Sequence, residues 1–192
     1  MRVIRSLAAL AALALPVLAA QIPRPANPIS VPLPDGKVLT LDSFKGKVLV
    51  LEFMLTTCPA CQKASVALSG VYSELHPKGM EALGVAINPM ANMLIPEYIQ
   101  KFGTKFPIGF KEDQEEVKAF LQHPVIQILR VPQLVFIDRK GVIRAQHGGA
   151  TDPDFFNNED GVIKMEVEKL LAEGGAPPPK TASAVKTAAK KK

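Results

Sequence analysis

Two cysteines, Cys58 and Cys61, make up the whole cysteine content of this 192-residue chain, and they stand three apart in Thr57-Cys58-Pro59-Ala60-Cys61. Two thiols at that spacing can make and break a disulfide, because the first turn of a helix brings positions i and i+3 to roughly the 4.4–6.8 Å Cα separation that a disulfide needs. The first sulfur is then left at the exposed helix end, and the second is placed to attack a mixed disulfide formed on the first. Pro59 suits the first helical position, where the amide hydrogen it lacks would have no helical partner. Cys58 would therefore cap the helix, facing unpaired N–H groups and the positive end of the macrodipole, an environment that favours thiolate. Two other readings compete. A CxxC is also half of a zinc site, but structural zinc needs four ligands, and His76, His123 and His147 are scattered singly. A static bridge closing so short a loop would stabilise little. Redox exchange is the expected chemistry.

The elements that would position the pair read as follows. Val48 to Met54 is a short apolar run that is β-branched at its start, the pattern of a buried strand, and a helix is expected from Pro59 to about His76. Val66, Leu68, Val71, Tyr72 and Leu75 recur at helical spacing along it, and Pro77-Lys78-Gly79 stops it. Glu81 to Ile87 is a second strand. Strand, helix, strand is a βαβ unit with a parallel pair. Beyond it, a short helix over Pro96 to Phe102, a strand over Phe106 to Phe110 and a helix over Asp113 to Gln122 are expected. The runs Gln133 to Ile137 and Val142 to Gln146 form a β-hairpin about the turn Asp138-Arg139-Lys140-Gly141. Asp154 to Ala172 reads mostly as a terminal helix with Val162, Ile163, Val167, Leu170 and Leu171 inward. One residue is out of keeping with its strand. Glu52 is a carboxyl in an apolar run, costly if buried as an unpaired anion, so desolvation would raise its pKa and make it a candidate proton acceptor for Cys61. The alternative is a strand-end glutamate that reaches water.

The flanks bound the domain. A basic start with Arg2 and Arg5, an apolar stretch from Leu7 to Leu18, then Ala19-Ala20 is the pattern of a secretory signal, too short for a bilayer span of about 20 residues. Residues 1–20 are thus read as a signal and 21–34, with five prolines, as an extended leader. One domain over 35–173 follows, and 174–192 is a Pro/Ala/Lys-rich tail too poor in apolar residues to fold. Setting aside the two arginines of the signal and five lysines of the tail turns the formal +5 of the chain into 16 basic against 18 acidic residues, a balance of −2. That argues against a nucleic-acid partner. Export, most simply to a periplasm, with secretion or a retained signal anchor as alternatives, would let the pair be oxidised.

Three motifs together resemble the thioredoxin-like proteins of the TlpA/ResA group: Gly46-Lys47-Val48-Leu49-Val50-Leu51-Glu52-Phe53, Thr56-Thr57-Cys58-Pro59-Ala60-Cys61, and Val131-Pro132-Gln133-Leu134-Val135-Phe136-Ile137-Asp138-Arg139-Lys140-Gly141. The resemblance covers about residues 29–172. It implies an α/β thioredoxin-like fold, a central mixed sheet flanked by helices, with an N-terminal β-hairpin and a central βα insertion. It further implies Cys58 as attacking and Cys61 as resolving thiol, Glu52 as the buried acid, and Pro132 as a cis proline against the disulfide. The backbone of Val131 would pair with a bound polypeptide, and Thr57 and Pro59 would border the substrate. Neither a cofactor nor a metal is implied. The partners would be proteins carrying disulfides or dithiols and an upstream redox protein.

Two departures bear on partner choice: Thr57 stands where many relatives have tryptophan, and Ala64 where some cytochrome-maturation reductases have glutamate. Other classes remain open. Two thiolates suit Cu(I), although no histidine or methionine motif completes such a site. A thiol peroxidase would need a Pro-x-x-x-Thr-x-x-Cys pattern, and Leu51 and Leu55 occupy those places. An unreactive pair would point to a binding module.

Overall fold

The computed structural model describes residues 21–149 and 152–173. The signal and tail read from the sequence lie outside them. The strands are β1 (Arg24–Pro25), β2 (Ser30–Pro32), β3 (Val38–Thr40), β4 (Val48–Met54), β5 (Met80–Ala86), β6 (Ile108–Phe110), β7 (Gln133–Ile137) and β8 (Val142–Gly148). The helices are α1 (Pro59–Leu75), α2 (Ala91–Phe102), α3 (Gln114–Leu121), α4 (Pro153–Asn157) and α5 (Glu159–Glu173).

Six strands form one mixed sheet in the order β1-β8-β7-β4-β5-β6, and β2 and β3 form a separate antiparallel hairpin. β4 is at its centre, parallel to β5 and antiparallel to β7, with all seven of its residues buried. A strand covered on both faces reads as a continuous apolar run rather than an alternating one. The two faces are sorted by parity. Val48, Val50 and Met54 pack with Leu134 and Phe136 toward α1, α2 and α5. Leu49, Leu51 and Phe53 pack with Leu83, Val85 and Val135 toward α3 and the leader. Glu52 has even parity, and so lies on the α1 side.

The leader is extended and is joined to the sheet. Arg24 and Pro25 pair with Ile143 and Val142 of β8, and the buried Arg24 guanidinium donates to Phe120 O at 3.2 Å and Gln146 Oε1 at 2.8 Å. The β2–β3 hairpin lies against β6 so closely that a Cβ on Gly109 would fall 2.5 Å from Pro32 O. Only glycine fits at that crossing.

α2 differs most from its expected bounds. It begins at Ala91, five residues before Pro96, and is entered from Met90 with φ 59°. Proline is favoured in the first turn because it cannot donate; here Pro96 sits in the helix interior, and the burial of Ala91 and Ile95 outweighs that local preference. The terminal helix is broken in two at Asn158, with Asp152 capping α4 by accepting from Phe155 N at 3.1 Å. Among the described residues, no helix is long and apolar enough to cross a membrane.

Candidate active site

Four segments converge at the C-terminal end of β4. The loop 55–58 leaves β4 directly. The parallel β5 ends beside it, so that Ile87 N donates to Met54 O at 2.9 Å and Thr56 N to Asn88 Oδ1 at 2.9 Å. The antiparallel β7 begins there, since Phe53 pairs with Gln133 and Pro132 precedes it. β8 ends there too, and Gly149 N donates to Pro132 O at 2.9 Å. A Cβ on Gly149 would come within 3.2 Å of Pro132 Cδ, so the glycine lets the two chains close up.

Cys58 caps α1. Its φ and ψ of −85° and 117° are extended, Pro59 occupies the first helical position, and Cys61 N donates to Cys58 Sγ at 3.4 Å. Both sulfurs are free thiols. Cys58 is half-buried, whereas Cys61 is fully buried. Burial pushes the Cys61 thiol well above its ordinary range; the Cys58 sulfur hydrogen-bonded to it and the nearby Glu52 carboxyl act in the same direction. The loop that carries the pair is held by Cys58 N donating to Leu55 O and Gln62 Nε2 donating to Thr56 O, both at 3.1 Å.

Glu52 lies beneath the pair, 0% exposed. Its carboxyl is pushed up to about 8 by burial, a rise the hydrogen bond from Ser65 partly opposes and the charge of Glu159 reinforces. Ser65 Oγ is 2.9 and 2.8 Å from the two carboxyl oxygens, and Tyr98 Oη donates to Ser65 Oγ at 2.9 Å. Glu159, at the start of α5, is buried and pairs with Lys63 of α1 at 3.4 Å.

The Val131–Pro132 bond is cis, Pro132 is buried, and Val131 and Cys58 pack against the same apolar cluster. Thr57 and Pro59 are exposed on either side of Cys58. A groove of about 320 Å³ adjoins Thr57, walled by Gln62 of α1 and by Leu94, Tyr98 and Phe102 of α2. A larger hollow of about 510 Å³, lined by Phe44, Lys45, Asp138 and Arg139, lies at the opposite end of β4 and includes no residue of the CxxC motif. The three histidines stay apart. Among the described residues, no three His, Cys, Asp or Glu side chains are grouped so as to hold a metal ion.

Ser65 and Tyr98 belong to none of the motifs that mark the site in the sequence. Ser65 carries one usable signal, since it stands one helical turn after Cys61 on the buried face of α1. Tyr98 carries none, being 33 residues from its partner.

Comparison with known proteins fits this geometry. The thiol-disulfide oxidoreductase ResA of Bacillus thuringiensis subsp. konkukian is 24% identical over 109 residues, 57% of this chain and 59% of that protein. ResA of Halalkalibacterium halodurans is 24% identical over 119 residues, 62% of this chain and 64% of its own. The chain thus spans about three fifths of the length of these curated relatives. Among solved structures, a thioredoxin-family thiol:disulfide interchange protein of Chlorobium tepidum TLS aligns with TM-score 0.62 and 25% identity over 78% of this chain and 99% of that one. A putative protein disulfide isomerase of Bacteroides thetaiotaomicron aligns with TM-score 0.65 and 21% identity, covering 80% and 92%. Residues 22–146 match the AhpC/TSA family. With well over half of its length in that match and a thioredoxin-like arrangement of strand, CxxC helix and Val-Pro strand, the chain belongs to the AhpC/TSA family.

Proposed function

We propose that the protein is an exported thiol–disulfide oxidoreductase that exchanges its Cys58–Cys61 dithiol or disulfide with protein partners. The observation that carries this reading is the inequality of the two sulfurs, one capping α1 at the surface and the other buried one turn behind it. In the reducing direction, the Cys58 thiolate attacks one sulfur of a partner disulfide. That S–S bond breaks, the released partner sulfur takes up a proton, and a Cys58–partner mixed disulfide remains. Cys61 passes its proton to Glu52 and attacks Cys58 Sγ. The second partner sulfur leaves as a thiol, and two electrons have moved from the protein to the partner. A dithiol from an upstream redox protein restores the reduced pair by the reverse steps.

The base is needed because Cys61 is buried and its thiol is held well up. A carboxyl pushed up to about 8 can both accept and return a proton near neutral pH. Val131 and Pro132, set at the same end of the sheet, would present backbone to a bound polypeptide between Thr57 and Pro59. Exposed apolar side chains occur in the two segments that lead away from and into this end of the sheet. Met90, Met93 and Leu94 follow β5, and Val125, Ile126 and Ile128 precede β7, with Ile126 96% exposed. Such a rim suits a polypeptide partner better than a small polar one.

The experiment is trapping. Cys61→Ser keeps the attacking thiol and removes the resolving one, so it should accumulate mixed disulfides through Cys58, and Cys58→Ser should not. Equal trapping by the two variants on a non-reducing gel overturns the assignment.

A further inference from the structure

The hydroxyls of Ser65 and Tyr98 are fully internal polar groups with no part in the exchange steps above. Ser65 is 0% and Tyr98 3% exposed. They come from different elements, α1 and α2, and meet at one atom: Tyr98 Oη lies 2.9 Å from Ser65 Oγ, which in turn lies within 2.9 Å of both oxygens of Glu52 on β4. A fourth group closes the set, Met54 Sδ at 3.8 Å from Ser65 Oγ.

The hydrogens can be counted. A serine hydroxyl has one hydrogen and two lone pairs, a tyrosine hydroxyl one hydrogen, a carboxylate none, and a thioether sulfur is a weak acceptor. With Glu52 ionised, Tyr98 donates into one lone pair of Ser65 and the serine hydrogen points to the carboxylate. With Glu52 protonated, the new carboxyl hydrogen can donate into the second lone pair of Ser65, and the serine hydrogen turns to Met54 Sδ. Tyr98 keeps its bond throughout. Every hydroxyl hydrogen has an acceptor in both states, and the change between them is rotation of one hydroxyl. Buried polar groups left without partners in either state would block the transfer, because an unmade hydrogen bond is most costly where water cannot replace it.

We propose that Ser65 and Tyr98 are positioning residues that hold Glu52 in both of its protonation states, the Ser65 hydroxyl reversing as Glu52 takes up and returns the Cys61 proton. This rests on the reading of Glu52 as the proton acceptor. The other groups that face Glu52 are Cys61 and Cys58 on α1, Glu159 on α5 with Lys63 beside it, and, two strands across in the same row through Leu134, His147 of β8 with its partner Asp152. None of these supplies a hydrogen-bond donor to its carboxyl oxygens among the described residues.

The test follows the proton directly. Glu52 is titrated by the chemical shift of its 13C-labelled carboxyl carbon in the reduced full-length protein, and the rate of mixed-disulfide resolution is measured over the same pH range. Ser65→Ala removes a charge-assisted bond from the carboxylate state and a weaker neutral one from the protonated state, so the Glu52 midpoint should rise by about one pH unit and the resolution midpoint should rise with it, while the initial attack by Cys58 is unchanged; below both midpoints, one unit means about tenfold less carboxylate. Tyr98→Phe removes one oxygen from a wall the ring still fills, and should move both midpoints in the same direction by less. It also serves should Ser65→Ala fail to fold. Unshifted Glu52 titration in these variants overturns the proposal, as does a shifted titration that resolution does not follow. Glu52→Gln separates the two ideas: resolution unaltered in that variant refutes Glu52 as the acceptor, whatever the titrations show.

Discussion

Replacing Glu52 by glutamine should remove most of the loss of stability that rising pH causes above about 5. In the unfolded chain this carboxyl ionises near its ordinary 4.5, whereas in the fold it holds its proton up to about 8. Between those values the folded state binds more protons than the unfolded one, so stability falls as pH rises. The contribution is intact below 4.5, declines through the interval and is lost above about 8. Each pH unit is worth about 1.4 kcal/mol, so the full interval amounts to about 5 kcal/mol, somewhat more than half of it spent by pH 7. That is a large share of the roughly 5–15 kcal/mol that keeps a domain folded. Glutamine has the same shape and no titration. Its amide hydrogens lack obvious acceptors beside Ser65, at a cost of about 1–3 kcal/mol, but that cost does not vary with pH. The comparison is therefore one of slopes. Urea unfolding of the reduced protein at pH 5, 6, 7, 8 and 9 should show the native chain losing stability relative to Glu52→Gln at each step up to about 8, with the variant the more stable at pH 8 and 9. Glu159, also raised by burial, gives both proteins a slope of the same sign and cancels in the difference. Parallel stability curves across that range would show that the buried carboxyl titrates as an ordinary one and would remove the physical basis for its use as an acceptor.

Two further outcomes test the surroundings of the site. Ile126→Ser with Ile128→Ser should raise KM for a protein disulfide severalfold and leave turnover of a small disulfide unchanged, with stability altered by no more than about 0.5 kcal/mol because both side chains lie in solvent; equal loss on both substrates would count against the apolar rim. Arg24→Ala deprives Phe120 O and Gln146 Oε1 of a buried donor and should cost about 1–3 kcal/mol in urea unfolding, with faster amide exchange at Ala26, whose N–H bonds to Gly141 O; an unchanged midpoint would mean that the leader adds nothing to the sheet.

What the sequence disclosed was local. The strand from Val48 to Met54, the helix opened by Pro59 and the hairpin around Asp138-Arg139-Lys140-Gly141 are each specified by neighbours within a few residues, and the bounds found for them agree to within about two positions. Where distant segments decide, the local sequence carries no sign of the outcome. Nothing near Arg24 announces that it will pair with Ile143, and nothing near Ala91 announces that burial against the sheet will carry a helix through Pro96. The same limit holds at the site. Cys58 and Cys61 are legible because their chemistry depends on adjacent spacing, and Glu52 because a carboxyl in an apolar strand is locally discordant. Ser65 and Tyr98 are ordinary in their own helices and acquire meaning only where α1, α2 and β4 meet.

The α2 insert also changes how the missing tryptophan should be understood. With Thr57 in its place, the surface before Cys58 is expected to be smaller and more polar, and Thr57 itself is indeed exposed. Yet Leu94, Tyr98 and Phe102 stand opposite it across the groove, the last two with ring centroids 4.7 Å apart. An apolar wall has been supplied from another element. At about 320 Å³ the groove is near the lower end for binding pockets, large enough for a side chain or two and too small for a folded surface to enter. Glu97 and Lys101 of α2 also line it, so its lining carries both charges beside apolar residues. Tyr98 belongs at once to this wall and to the hydroxyl chain that ends on Glu52. On the proposed function, contact with a partner and the proton equilibrium behind Cys61 would share one side chain, and Tyr98→Phe, which keeps the wall and removes the hydroxyl, separates the two.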